Sequence, residues 1–412
     1  MRAVSERAII FLVGAVQFVN ILDFMMVMPL GPDFAVALGI PQSHLGIIGG
    51  SYTASAAVSG MIGALFLDRF DRRKALAVAM FGLVIGTFVG GLATGLGTLI
   101  LARVIAGAFG GPATSIALSI VADVIPAERR GKAMGAVMGA FSIASVLGVP
   151  AGLELARVGG WNMPFFAVAA LGIVVAAAGI FFMPPMTKHI EEKAKRTTRD
   201  ATALEIIRRP IVMWSLAASA SMMLASFVLI PNLSPFVQHN LGYPRDKLGS
   251  LYMIGGIVSF AAMRVVGMMV DRFGAAIVAS IGTMFMVATV GLTFLDDVSH
   301  IPVMVMFIGF MLSNSFRNVA NSTTASKVPA AHERARFMST QSAVQHIASA
   351  AGAMSGSILL SERPDHALVG MPRVALTSIC AALFLPPLLF KLSSELRERA
   401  AASTLTPNPA VR

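Results

Sequence analysis

Twelve apolar stretches punctuate this chain, each long enough or nearly so for the roughly 20 residues a helix needs to cross a bilayer. They run approximately over 8–30, 44–67, 75–95, 98–124, 133–156 and 163–183, then 211–235, 247–270, 275–295, 301–326, 337–360 and 371–391. With 56% hydrophobic and only 13% charged residues, the chain lacks the polar covering to hide them in a water-soluble core, since soluble domains run nearer to about a quarter charged. The fold class expected is therefore an all-α integral membrane protein with twelve transmembrane helices. The first stretch, flanked by Arg2 and Arg7, is too long for a cleavable signal and reads as a retained helix.

One hydrophilic segment, residues 184–210, divides the helices six and six. Pro184-Pro185 stops the sixth, and the charges beyond it belong in water. The division gives four parts: an N-terminal six-helix bundle (1–183), a cytosolic linker (184–210), a C-terminal six-helix bundle (211–391) and a cytosolic tail (392–412). Basic residues set the orientation. With the N-terminus in the cytosol, 24 Lys and Arg fall on that side and five on the other, while Arg103, Arg264 and Arg317 lie inside helices. Both termini are expected in the cytosol of a cell inner membrane. The net charge of +11 is then mostly topological, with some attraction to anionic lipid, and no nucleic-acid partner is expected. A single cysteine, Cys380, excludes a disulfide framework, and seven scattered histidines give a metal site little to draw on. No metal, no cofactor and no catalytic residue is expected, and no phosphate-binding Gly-x-x-x-x-Gly-Lys run is present to use ATP.

The two halves repeat one another. LFLDRFDRR, around Asp68, follows the second helix, and MMVDRFGAA, around Asp271, follows the eighth, 203 residues later. ERRGKAMG leads into the fifth helix and HERARFMS into the eleventh, and Ile143-Ala144-Ser145 is echoed 204 residues on by Ile347-Ala348-Ser349. A duplicated six-plus-six bundle is the architecture of an alternating-access carrier, with the substrate path between two pseudo-symmetric bundles.

The loop ALFLDRFDRRKAL (64–76) resembles the signature between the second and third helices of the major facilitator superfamily, Gly-x-Leu-Ala-Asp-Arg-x-Gly-Arg-Lys. Asp68, Arg69, Arg72 and Arg73 occupy its acid and basic positions, while Ala64 and Asp71 replace its two glycines. The second copy keeps both glycines, Gly267 and Gly274, around Asp271-Arg272 but lacks the basic run. The resemblance implies a cytosolic gate in which Asp68, Arg72 and Asp123, at the end of the fourth helix, hold together in the outward-open state and part on inward opening. An ordinary basic loop with a helix cap is the plainer alternative.

Charges inside the membrane are costly unless paired or facing water. Gln17, Asn20 and Asp23 are spaced by three and fall within an arc of about 120°, so one face of the first helix carries all three. Low dielectric favours the neutral form of such a carboxyl, which makes Asp23 a candidate proton site or a structural hydrogen-bonding group. Its segment, with Pro29, also resembles the first helix of drug/proton antiporter-like members. Arg103 occupies the superfamily's buried fourth-helix arginine, although its Arg-x-x-Gln-Gly has become Arg-x-x-Ala-Gly. A buried arginine must meet a carboxylate, carbonyls or a cavity, and Asp23 is the natural partner.

Asn314, Arg317, Asn318 and Asn321 lie within an arc of about 100° on the tenth helix, with Gln341 and Gln345 forming a weaker stripe on the eleventh. Both read as substrate-cavity lining, with interhelical hydrogen bonding as the alternative. Gly148, Pro150 and Gly152 in the fifth helix resemble, in loosened form, the glycine/proline motif of antiporters, and simple helix packing explains them nearly as well. The function expected is proton-coupled efflux of small organic compounds or drugs by a monomeric carrier in contact with membrane lipids. A proton-linked uptake symporter is the alternative, and a membrane-embedded enzyme or lipid-moving protein the remote one.

Overall fold

The computed structural model describes residues 5–187, 205, 207–295, 301–329 and 333–405. Its first six spans are α1 (Glu6–Val27), α2 (Leu45–Phe66), α3 (Arg72–Gly91), α4 (Leu96–Val124), α5 (Ala127–Ile143, then a π-helical turn Ala144–Gly148 and a segment Val149–Gly159) and α6 (Met163–Phe182). The next six are α7 (Pro210–Phe227, resumed as Ile230–Pro235 and a π-helical turn Phe236–Asn240), α8 (Leu248–Phe273), α9 (Ala275–Phe294), α10 (Val303–Ala325), α11 (Arg334–Leu359) and α12 (Met371–Leu383, resumed as Leu385–Leu405).

Eleven of these are long and apolar enough to cross a membrane. The twelfth, α11, spans 26 residues but is diluted by Gln341, Gln345, His346 and a run of serines. It packs on α2 and α7, so its polar residues meet protein. Phe11, Phe181 and Ile358 stand bare on the outside, where a hydrocarbon surround is their favourable solvent. The chain is an all-α membrane protein.

Two expected boundaries move. Pro29 has no N–H to continue the ladder of α1, so that helix stops at Val27 and a short helix, Gly31–Leu38, follows. The segment expected as tail from 392 is helical through Leu405. Most of the expected linker, 188–204 and 206, lies outside the described residues, as do 406–412.

Small residues set how closely the helices approach. A side chain at Gly107 of α4 would be driven into the Tyr52 carbonyl of α2, and one at Gly46 of α2 into the Ala353 carbonyl of α11. Within the first half, α4 packs on α2 and α3; between the halves, α2 packs on α11, and the later part of α5 on α8. At the middle, Phe24 of α1 stacks on Phe227 of α7, ring centroids 5.9 Å apart. These two are 203 residues apart, the offset that relates Asp68 to Asp271. A residue that touches its own repeat copy lies beside the axis relating the copies, so the internal repeat is carried into three dimensions.

Candidate functional site

Next to Phe24, at that axis, Asp23 is fully buried and held by two hydrogen bonds from Arg103: Nη1 to Oδ1 at 3.1 Å and Nη2 to Oδ2 at 2.9 Å. Thr87 of α3 donates a third, Oγ1 to Oδ1 at 2.7 Å. The Arg103 guanidinium lies over the Tyr52 ring, 4.7 Å from its centroid, a placement that adds cation–π attraction where water is excluded. The Tyr52 hydroxyl donates to Asn20 Oδ1 at 2.7 Å, and Asn20 Nδ2 donates to the Gly110 carbonyl at 2.9 Å and to Thr114 Oγ1 at 2.5 Å. One connected polar network therefore joins α1, α2, α3 and α4. Gln17 shares the buried face, with Oε1 unpartnered. Asp23 and Arg103, expected as partners because both are charges inside apolar helices, meet in a two-point fork.

The residues expected on the cavity face of α10 and α11 turn mostly toward α7. Ser226 Oγ donates to Asn314 Oδ1 at 2.6 Å, and Asn321 Nδ2 and Gln341 Nε2 both donate to Ser219 Oγ, at 3.0 and 2.9 Å. Arg317 is fully buried and donates from Nη2 to the Met222 carbonyl at 3.3 Å. Gln345 is half-buried and Asn318 exposed. Four of the six thus stitch α7, α10 and α11 together, and these two are not tied into that seam.

Gly148 and Gly152 face α1. A methyl at Gly148 would come within 2.7 Å of Leu22 Cδ1, and one at Gly152 within 3.8 Å of Met26 Cβ. Pro150, which lacks an N–H, follows the widened π-helical turn. The segment packs α5 tightly beside Asp23.

On the face where α1 begins, Arg72 Nε lies 3.3 Å from Asp123 Oδ2, and Arg73 Nη1 donates to the Met183 carbonyl at 3.1 Å. Asp71, standing where the superfamily has glycine, caps α3: its Oδ1 accepts from Arg73 N–H at 2.9 Å and from Met186 N–H at 3.0 Å. The loop is thus tied to the start of the linker. The side chain of Asp68 lies outside the described residues. Arg69, Asp271 and Arg272 are exposed, with the Arg272 guanidinium 5.3 Å from the Phe273 ring centroid, and Gly274 takes the positive φ of 88° that begins α9. The same face holds two equivalent ion pairs of opposite polarity: Glu6–Arg129 joins α1 to α5 at 3.2 Å, and Arg209–Glu333 joins α7 to α11 at 2.6 Å. The bond to Glu333 holds the Arg209 guanidinium above its usual range. Each residue and its counterpart are 203 or 204 apart.

Sequence reasoning missed the opposite face. There Arg245, before α8, grips Asp33 after α1 (Nε to Oδ1 2.7 Å, Nη2 to Oδ2 2.5 Å) and donates to the Leu153 carbonyl of α5 at 3.3 Å. Gln42 N–H donates to Glu362 Oε2 at 2.5 Å and Ser234 Oγ to the Pro29 carbonyl at 3.0 Å. Glu362 belongs to a two-stranded hairpin, Ser361–Glu362 with Leu368–Val369, bonded to Asn240 through Leu368. Every described hydrogen bond between helices 1–6 and 7–12 lies in this group, so the structure is sealed at the face away from the chain's start. The Arg72–Asp123 pair is nevertheless formed. Both of its residues belong to the first half.

Twelve helices in two sequence-related sets, sealed at one face and holding a buried ion pair beside their common axis, define a multi-pass membrane transporter. The chain belongs to the major facilitator superfamily, whose sequence profile matches residues 13–353; its members carry small molecules, need no cofactor and are not enzymes. It is 23% identical over 280 residues to multidrug resistance protein 2 of Bacillus subtilis, covering 66% of this chain and 70% of that one. Against the chloramphenicol resistance protein of Streptomyces lividans it is 24% identical, covering 67% and 69%. Among solved structures, a bacterial homologue of the human lysosomal transporter Spinster, in its inward-facing unoccupied conformation, superposes with a TM-score of 0.72 at 15% identity, covering 95% of this chain and 98% of that one. A D-xylose–proton symporter gives 0.70 at 18%, covering 92% and 97%.

Proposed function

We propose that this protein is a proton-coupled exporter of small organic compounds in a bacterial-type inner membrane, with both termini cytosolic. The observation that carries the reading is the Asp23–Arg103 pair, buried beside the axis between the halves. A carboxylate in such a place is stable only while its partner is engaged. Protonating it removes one charge and releases the guanidinium, so proton binding and rearrangement of α1 against α4 are coupled. Export rather than uptake is favoured by the resistance proteins among the relatives. Positive-inside orientation makes the sealed face the outer one, so the structure represents an inward-facing state. Units 1–183 and 211–391 rock about the Phe24–Phe227 contact as monomeric halves joined by 184–210, with Asn314, Asn318 and Gln345 at the edge of the path and the basic loops against anionic lipid headgroups.

Counterflow in proteoliposomes tests this, with chloramphenicol and a purine ribonucleoside as first probes because relatives bear those names. An imposed inward proton gradient is expected to drive substrate out, and its collapse by an uncoupler to stop net movement. Substrate movement that ignores the gradient would remove proton coupling from the proposal. Accumulation in the same direction as the protons would replace export with symport.

A further inference from the structure

We infer that the transported compound carries an anionic group and that Arg317 is its binding partner; this rests on the transport reading above and assigns the class of its substrate. Arg317 is fully buried, its only described hydrogen bond is the one to the Met222 carbonyl, and its Nε and Nη1 have no partner. Among the described residues no acid pairs with it. The apolar stretches 211–235, 247–270, 275–295, 301–326, 337–360 and 371–391 contain no Asp or Glu. In the first half, Asp23 is taken by Arg103, Asp123 is paired with Arg72, and Glu154 is paired with Arg157. A guanidinium keeps its charge under all physiological conditions, and one buried inside the membrane without a carboxylate partner marks a place where a negative charge is to be received. Snorkelling does not account for it, because the head group is no more exposed than the stem.

Its surroundings fit an anion. Asn321 and Gln341 direct amide N–H groups at Ser219, one turn from Met222 on α7, so the seam presents donors from α10 and α11. Four residues beyond Met222, Ser226 bonds Asn314, and the next residue, Phe227, stacks on Phe24 at the axis. Arg317 therefore bonds α7 about 7.5 Å along the helix, at about 1.5 Å per residue, from the contact around which the halves meet. The described bonds closing the seam are four: Ser219 Oγ accepts two, the Met222 carbonyl accepts one and Ser226 donates one, and α7 itself is interrupted after Phe227. A modest displacement of α7 uncovers the guanidinium toward the path.

The test is binding, which needs no gradient and so stands apart from the coupling experiment. Purified protein is melted in detergent with salicylate, benzenesulfonate and phenyl phosphate, and with the uncharged salicylamide and the cation benzylammonium. At least one anion is expected to raise the melting temperature of the wild type while its uncharged and cationic counterparts do not. In Arg317→Gln the half-saturating concentration is expected to rise about tenfold or more, with Arg317→Lys in between. If Arg317→Gln does not fold, the wild-type anion-against-amide comparison and Arg317→Lys still decide. Stabilisation by none of the anions, stronger stabilisation by the neutral or cationic compounds, or an anion effect unchanged in Arg317→Gln overturns the inference.

Discussion

At the scale of single residues, the pair that carries the proposed coupling was legible before any fold was known. Two opposite charges in apolar helices of one half had few other partners, and the structure brings Asp23 and Arg103 to 2.9 Å. What surrounds them was not legible, because Tyr52 and Thr87 read in sequence as an ordinary aromatic and an ordinary hydroxyl. Only the meeting of α2 and α3 with α1 and α4 puts one under the guanidinium and the other on the carboxylate. Arg103→Ala leaves Asp23 buried with only the Thr87 hydroxyl, and loss of one member of a buried pair costs about 3–5 kcal/mol. A large fall in melting temperature is the expected result. Asp23→Asn keeps the shape and removes the titrating group. Exchange of substrate between two pools is expected to survive while gradient-driven accumulation is lost. Full gradient-driven accumulation by Asp23→Asn would leave the carboxylate a purely structural role.

Among the helices, all twelve were visible as apolar runs, with α11 the most polar of them because of Gln341, Gln345 and His346. The interruptions were harder to read. Pro29, Pro150 and Pro231 each lack an N–H, yet one ends a helix, one follows a π-helical turn and one begins a resumed segment, and which occurs depends on neighbouring helices that satisfy the freed groups. The glycines show the same dependence. Gly46 and Gly107 are indistinguishable in sequence, and both admit a neighbour's carbonyl, but Gly107 does so within the first half and Gly46 across to the second. Different outcomes are therefore expected. Gly107→Ala forces α2 from α4, pulls Tyr52 off Arg103 and lowers thermal stability in every conformation. Gly46→Ala obstructs only the approach of α2 to α11, so stability holds while the population moves toward the state open at the far face. Melting curves together with the accessibility of a cysteine placed at Ser357 would separate the two, and equal loss of stability in both variants would defeat the distinction.

For the molecule as a whole, the duplication foretold the two sets of six, and the Phe24–Phe227 stack realises it, but nothing in the sequence joined Asp33 to Arg245. They lie in connecting segments 212 residues apart, and such a contact exists only once the halves have closed on each other. That is also why it, unlike Arg72–Asp123, reports on conformation: its partners move apart with the halves. The pair is partly exposed, about a quarter on each side chain, so its contribution is modest, on the order of 1 kcal/mol or less for an exposed pair and more for this two-point geometry. Two states of a carrier differ by only a few kcal/mol, so even that amount redistributes them. Asp33→Asn is expected to shift the equilibrium several-fold toward the state open at that face, since about 1.4 kcal/mol corresponds to tenfold. The exchanged pair Asp33→Arg with Arg245→Asp should recover part of the shift, incompletely because the Leu153 carbonyl loses its donor. Distances between spin labels on the hairpin at Ser361 and on the loop at Gln42 measure the redistribution directly, widening in the single variant and narrowing in the exchanged one. An unaltered distance distribution in Asp33→Asn would mean that the helix packing of α2 on α11, not this ion pair, keeps that face shut.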